Sequence, residues 1–481
     1  MNFAIVRYLI GWMLGIESIF LLLPALTAVI YGEPELPAYL IAAAISLAGA
    51  ALLCHRKPKN TRFYAREGYV TVALCWLILA VIGALPFVLS REIPFFIDAL
   101  FETVSGFTTT GATILGDVEA LSHASMLWRC LTHWVGGMGV LVFMLIVLPL
   151  AGGQTIFLMR AESPGPSVSK MSPRMRDTAT ILYAIYFGLT VLQMLLLLIG
   201  GMPLFDAICV SLGTAGTGGF GNWNDSIAHY NSAYLQNVIT VFMILFGINF
   251  SAYFLILTRK FRQAFRIEEI RVYLGVIFVF AGLIAFNVRP MFGSLRESFH
   301  HALFQVASII TTTGFSTVDF DQWPTFSRAL LVLLMFIGAC AGSTGGGIKC
   351  SRILLLGKSV KKELMCLIHP RLVRVNKMDG QRVPHEVMRS INVFVVAYAF
   401  IFILSLLIIS LNCEDLVTCF TSVATTLNNV GPGLSLCGPT CNFGFFPPLS
   451  KGVLIFDMLA GRLELFPMLL LFTPGTWQRN K

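Results

Sequence analysis

Ten apolar stretches, each near bilayer-spanning length, recur along this chain and leave little room for a soluble fold. They lie at about 9–31, 37–54, 68–90, 126–150, 179–201, 232–257, 271–289, 327–348, 388–411 and 449–473. A helix needs roughly 20 apolar residues to cross the hydrocarbon core. Composition agrees: of 481 residues, 56% are hydrophobic and only 12% charged, where a soluble chain carries about 25% charged residues. The net charge of +9 does not point to nucleic acid, because the basic residues gather in four links, 55–67, 151–178, 259–271 and 349–389. With ten crossings, all four links fall on one side together with both termini. The positive-inside rule makes that side the cytoplasm, with the basic loops resting on anionic lipid. The first stretch, Tyr8 to Tyr31, is too long for the core of a signal peptide and is expected to remain as a span.

Four shorter segments sit between the spans, at about 96–111, 203–219, 297–314 and 414–431. Each is too short to cross, and each ends in a cluster of Thr, Asn and Gly. A half-length helix followed by polar, glycine-rich backbone at membrane depth is a re-entrant loop, tolerated only where it lines a cavity. An acid stands near the start of each half-helix: Asp98, Asp206, Glu297 and Asp415. After two leading helices the chain therefore repeats helix, half-helix, loop, helix four times. The expected division is 1–60 for the leading helices, then pore repeats at 61–165, 166–262, 263–365 (its second helix interrupted) and 366–481. The expected fold is an all-α integral membrane protein with ten transmembrane helices and four re-entrant pore loops around one pseudo-fourfold pore.

The loop cores are Thr109-Thr110-Gly111, Thr217-Gly218-Gly219, Thr312-Thr313-Gly314 and Asn429-Val430-Gly431. A dehydrated cation needs several oxygen ligands at once, and four strands of backbone carbonyls supply them. Glycine permits the backbone conformations that turn those carbonyls to an axis. The half-helices would aim their partly negative C-termini at the same centre. One such loop reads equally well as a turn between short helices; four at one topological position do not.

A second feature is the run Gly342-Ser343-Thr344-Gly345-Gly346-Gly347, followed by Lys349. Glycine inside a helix costs about 1 kcal/mol, so this run should break the eighth span in mid-membrane, as a movable plug below the loops. A close-packing seam of small residues is the alternative. The run superficially resembles a phosphate-binding G-x-x-x-x-G-K-[ST] loop. It fails that pattern because Ile348 separates glycine from lysine and Cys350 replaces Ser or Thr. No enzymatic activity is expected. Arg462 lies inside the last span, where a charge marks a functional candidate. Pairing with Glu464 is unfavourable, because residues two apart point in different directions on a helix; snorkelling is the other bland reading. Arg129 and His133 read as interhelical hydrogen-bonding residues. Cys413, Cys437 and Cys441 cluster near the outer surface; Cys437 and Cys441 could bond each other or either could bond Cys413, and three free thiols are the equal alternative.

The loops FTTTGAT, GTGGF, TTTGFST and LNNVGPGLS are similar to the four filter loops of the TrkH/KtrB/HKT superfamily of potassium transporters. The resemblance covers about 68–475, and the two leading helices resemble the TrkH-like branch. It implies that Gly111, Gly219, Gly314 and Gly431 close a potassium-binding filter. Glycine in the first loop goes with potassium selectivity, where serine goes with sodium. The second loop departs mildly, with Gly218 beside Gly219 and Gly221 where Ser is common. The resemblance also implies an intramembrane gating loop at 342–349 and an arginine, here Arg462, beside the permeation path. The implied function is potassium uptake across the cytoplasmic (inner) membrane, with K+ as substrate ion and no cofactor on this chain. The implied partners are a second copy of the chain and a cytosolic, TrkA-like regulatory subunit that itself binds NAD(H) and ATP/ADP. Proton- or sodium-coupled symport is the alternative. It would need intramembrane carboxylates, and few are expected beyond Glu464 and the acids at the half-helix mouths.

Overall fold

The computed structural model describes residues 1–58, 64–147, 175–371 and 375–478. The expected basic residues Lys59, Arg62, Arg160, Lys170, Arg174 and Arg374, and the end of the fourth span at 148–150, lie outside them. Among the described residues six helices are long and apolar enough to cross a bilayer, and a bent pair makes a seventh.

The chain opens with a helical hairpin, Phe3–Tyr31 and Leu36–Cys54. Gly32 ends the first helix in the left-handed conformation, with φ 68°, which glycine adopts without a β-carbon penalty. Small residues let the two helices approach: Gly11 lies against Cys54 and Leu53, and Gly49 against Leu14. Ser46 Oγ donates to Leu14 O at 2.8 Å. The hairpin docks on the first repeat through Tyr39 and Ser125, whose hydroxyls are 2.9 Å apart. Glu33 accepts the backbone N–H groups of His123 and Ala124 there. Large apolar side chains such as Leu26, Leu52, Phe286, Phe400 and Leu407 remain exposed, as a lipid-facing belt requires.

The four half-helices are Phe96–Phe107, Leu204–Gly216, Leu295–Ile310 and Leu416–Asn428. They occupy the expected places. Long helices flank them: Ala65–Ser90 and His123–Val147, then Met175–Ile199, then Glu268–Val288, then His385–Ile409. The fold is mostly helical and agrees with the expected class. The one described sheet is a two-residue hairpin pairing Lys377–Met378 with Gln381–Arg382.

Three of the expected spans are not continuous helices; the interruption within 327–348 is the expected one, and the other two are corrections. The span read as 232–257 is two helices, Ala233–Phe246 and Phe250–Leu257, bent by 92°. Asn249 caps the second piece, its side chain accepting from Ser251 N. The span read as 327–348 is a short helix, Thr325–Ile337. Non-helical backbone then runs through 338–349, and the link read as starting at 349 begins with a new helix, Cys350–Ile368. That helix runs through the repeat boundary expected at 365. The last span, read as 449–473, is Pro448–Arg462 and Phe466–Leu471, broken at Glu464 and Leu465, whose φ angles are 58° and 65°. The breaks at 247–249 and 463–465 lie inside apolar sequence, where hydropathy does not register them. All three breaks fall in the second helix of a repeat.

The fourth half-helix has a side-chain cap. Asp415 accepts from Val417 N and Thr418 N at 3.2 and 3.0 Å and from Thr418 Oγ1 at 2.5 Å. It sits on the rim outside the spans. Hydrogen bonds from Thr418, then from Ser435, hold its carboxyl down at about 2, against an ordinary 3.8. A depressed carboxyl stabilises the fold above its unfolded value near 4 and loses that contribution as pH falls toward about 2. Asp415→Ala is expected to lower thermal stability at neutral pH by the equivalent of about 1 kcal/mol. Melting curves of the detergent-solubilised protein should show the gap to the parent closing as the pH is lowered.

Candidate functional site

Each half-helix ends in the same backbone figure. One or two residues past each helix end the backbone is left-handed: Thr109, Thr217, Thr312 and Asn429 have φ of 55°, 55°, 57° and 56°. Two residues later comes a glycine of positive φ: Gly111, Gly219, Gly314 and Gly431 at 80°, 81°, 86° and 98°. The intervening N–H groups of Thr110, Gly218, Thr313 and Val430 donate back five residues, to Ser105, Gly213, Ser308 and Thr425. A conformation that L side chains adopt at a cost of about 1–3 kcal/mol each thus recurs four times.

The four loops also meet in order. A β-carbon on Gly111 would overlap Gly218 O, one on Gly219 would overlap Thr313 O, one on Gly314 would meet Val430 O, and one on Gly431 would meet Thr110 O. The contacts run from first strand to second, third, fourth and back to the first. The ring is closed, and only hydrogen at these α-carbons allows it. All twelve residues singled out in the loop cores are therefore together in one place. Above the ring opens a cavity of about 130 Å³, bordered by these four glycines and by Thr113, Asn224, Ser316 and Asn442.

Side chains behind the ring hold it. Arg129 is 2% exposed. Its Nε donates to Glu102 Oε1 at 2.8 Å, and its guanidinium lies 4.1 Å from the Phe220 ring centre. Glu102 in turn accepts from Thr113 Oγ1 and from Ile114 N at 3.0 Å. One ion pair thus ties the first strand to its own half-helix and to the second loop. His133 bonds Gly106 O through Nδ1 at 2.9 Å and accepts from Phe220 N through Nε2 at 3.2 Å. These partners fix the tautomer with the proton on Nδ1. The imidazole fills the space where a side chain on residue 218 would go, which explains why the second loop has Gly218 where the others have Thr or Val. Asn429 Nδ2 donates to Thr110 Oγ1 and to Met458 O, both at 2.9 Å. Lys451 pairs with Asp98 at 2.5 Å.

The glycine run lies directly beneath the ring. Gly346 N donates to Thr312 Oγ1 at 2.6 Å and Gly347 N to Asn428 O at 3.0 Å. β-Carbons at Gly345 and Gly346 would collide with Thr311 O and Asn428 O. Gly342 and Gly347 have φ of 72° and 77°. Ser343 Oγ bonds Cys340 O, Thr344 Oγ1 bonds Phe246 O, and Lys349 Nζ bonds Gly345 O. Arg462 reaches the run from the fourth repeat, donating to Thr344 O at 2.8 Å and to Gly136 O at 2.6 Å. Glu464 pairs with Arg352 instead. A plain packing seam would not bring a guanidinium to the run's own carbonyls.

Cys437 and Cys441 are free thiols, as is Cys413. Cys437 closes a tight turn, its carbonyl accepting from Gly433 N at 2.6 Å, and this buries its sulfur while Cys441 stays exposed. Intramembrane carboxylates are also more numerous than expected: Glu17, Glu102, Glu269 and Asp457 are all buried. Glu102 follows Asp98 by one helical turn, a signal available in the sequence. Nothing in the sequence marks Glu269 as buried, because it opens a span like any flanking charge.

A helical membrane protein with a closed fourfold ring of glycine loops is, by architecture, a cation-pathway protein. The comparisons place it further. Residues 37–478 match the family TrkH, described as a cation transport protein, and the chain belongs to that family, one of transporters and not enzymes. The Trk system potassium uptake protein TrkH of Escherichia coli K12 is 38% identical over 484 residues, covering 99% of this chain and all of that one. TrkG of the same organism is 33% identical, covering 98% of each. The crystal structure of the potassium transporter TrkH from Vibrio parahaemolyticus superposes with a TM-score of 0.90 at 33% identity, covering 99% of this chain.

The Arg129–Glu102 pair yields a prediction. Removing one partner of a buried pair strands the other's charge, at about 3 kcal/mol or more. Arg129→Met is expected to lower the melting temperature sharply, and adding Glu102→Gln should recover part of the loss.

Proposed function

We propose that this chain takes up potassium across the cytoplasmic (inner) membrane through a gated, channel-like pore. The observation that carries the reading is the closed glycine ring. It supports a filter of Thr109, Thr110, Gly111, Thr217, Gly218, Gly219, Thr312, Thr313, Gly314, Asn429, Val430 and Gly431, whose carbonyls replace the ion's hydration shell. K+ is the substrate ion, as the names of the relatives suggest. The loop from Gly342 to Lys349 is the gate, held beneath the filter by Arg462. Arg462 brings its positive charge to the loop through the carbonyls of Thr344 and Gly136. In a narrow, low-dielectric passage a positive charge repels a cation far more strongly than in water. Both termini face the cytoplasm. The chain works as a homodimer, with a nucleotide-binding regulatory subunit on its basic cytoplasmic face; the phrase "Trk system" in the relatives' names fits a multi-part assembly.

Proton- or sodium-coupled symport has one observation in its favour. Asp457 is fully buried, its Oδ1 accepting from Ser405 at 2.7 Å while Oδ2 has no hydrogen-bond partner among the described residues. Flux into liposomes driven by a proton gradient alone, without a potassium gradient, would favour that reading.

Gly111→Ser places a side chain against Gly218 O and is expected to admit sodium; tracer flux in liposomes checks it, and an unchanged K+/Na+ preference would count against the filter. Deleting Ser343 to Gly346, or replacing Arg462 with Met, is expected to raise basal flux with selectivity kept. Together they should be far from additive if they form one barrier. Unchanged or lowered flux in both single variants would remove the gate.

A further inference from the structure

We infer that Glu269 is the clasp that holds the 338–349 loop in its blocking shape, an inference that rests on reading this loop as the gate. Glu269 belongs to the first helix of the third repeat and is 3% exposed. One of its oxygens, Oε1, accepts two backbone N–H groups, Ala341 at 2.7 Å and Ser351 at 3.0 Å. These residues stand on the two sides of the glycine run, so a single carboxylate closes its neck. Two backbone bonds close the neck further: Cys350 N to Ala339 O at 3.0 Å and Ile348 N to Phe336 O at 3.3 Å.

The need for such a group follows from the helix break. Backbone amides freed from a helix inside a membrane must find acceptors within the protein. A carboxylate oxygen is the strongest acceptor available to them. The tip of the loop is held by other bonds, from Gly346 N to Thr312 and from Arg462 to Thr344 O. Glu269 holds the base. Without it, two buried N–H groups lose their partner in this conformation, so conformations that move the loop off the axis gain population.

The clasp is also where cytoplasmic structure reaches the loop. Ser351 opens the helix Cys350–Ile368, and Lys358, two turns further, pairs with Glu268, the residue beside the clasp. Lys358 also donates to Lys377 O at 2.8 Å, and Glu268 N donates to Asp379 at 2.7 Å. The helix is thus tied to both acidic residues, and the small hairpin to Lys358 and to the backbone of Glu268. Displacement of this helix pulls Ser351 from Glu269 and loosens the neck.

The test uses the full-length protein in liposomes with a potassium gradient. Glu269→Ala is expected to raise basal flux about tenfold, within the range of one coupling interaction, while the K+/Na+ preference stays at the parent value. Glu269→Gln keeps an Oε1 acceptor for both amides and is expected to restore near-parental flux. A second readout is N-ethylmaleimide labelling of the native Cys340 and Cys350, buried at the neck, followed by peptide mass spectrometry. Labelling should quicken in the Ala variant and not in the Gln variant; where Glu269→Ala purifies poorly, labelling in native membranes decides. Parental flux in a well-folded Glu269→Ala protein, or equal leakiness of the two variants, overturns the clasp. The Ser343–Gly346 deletion separates the two readings: a leaky deletion beside a tight Glu269→Ala leaves the gate and removes the clasp, and a tight deletion removes the gate itself.

Discussion

Four α-carbons without side chains make this architecture possible. Gly111, Gly219, Gly314 and Gly431 each press against a carbonyl of the next strand, and the circuit closes because every strand has the same twist of one left-handed residue followed two places later by glycine. The half-helices, the flanking spans and the buried pairs at Arg129 and Lys451 can be understood as what keeps those strands at contact distance. Backbone polar groups at membrane depth are tolerated only when something internal satisfies them. The repeated bonds of Thr110, Gly218, Thr313 and Val430 to their own half-helices meet that demand locally, leaving the carbonyls of the ring uncommitted.

Beneath the ring the same demand is met differently. The loop at 338–349 has no regular ladder, and several of its amides and carbonyls are satisfied by side chains from two repeats: Glu269 and Thr312 of the third and Arg462 of the fourth. Bonds to side chains exchange more readily than a helix unwinds. A segment held this way has a second arrangement within reach, which is the physical requirement for a two-state element.

Much of this was legible in the sequence. Apolar length sets the number of crossings, and the Thr/Gly clusters stand out because polar, glycine-rich backbone is rare at that depth. What was not legible lies inside apolar stretches. Gly247-Ile248-Asn249 bends a span by 92°, yet window hydropathy sees only neighbouring Phe and Ile. The unwinding at Glu464 and Leu465 is equally silent. Glu269 and Asp457 look like a flanking charge and a stray acid until their neighbours are known. The reason for Gly218 emerges only when the His133 ring is seen occupying its space.

That last contact separates a pore of four covalently joined quarters from one assembled of four identical subunits. In a symmetric assembly any residue appears four times around the axis, so an imidazole such as His133 would crowd every quadrant at once. Here a bulky ring leans on one strand alone, an amide replaces threonine in another, and an arginine reaches inward from only one side. Joining the four quarters in one chain lets each carry its own side chains. A single substitution then alters one quadrant's packing and hydrogen bonding, without the fourfold penalty that identical subunits would impose.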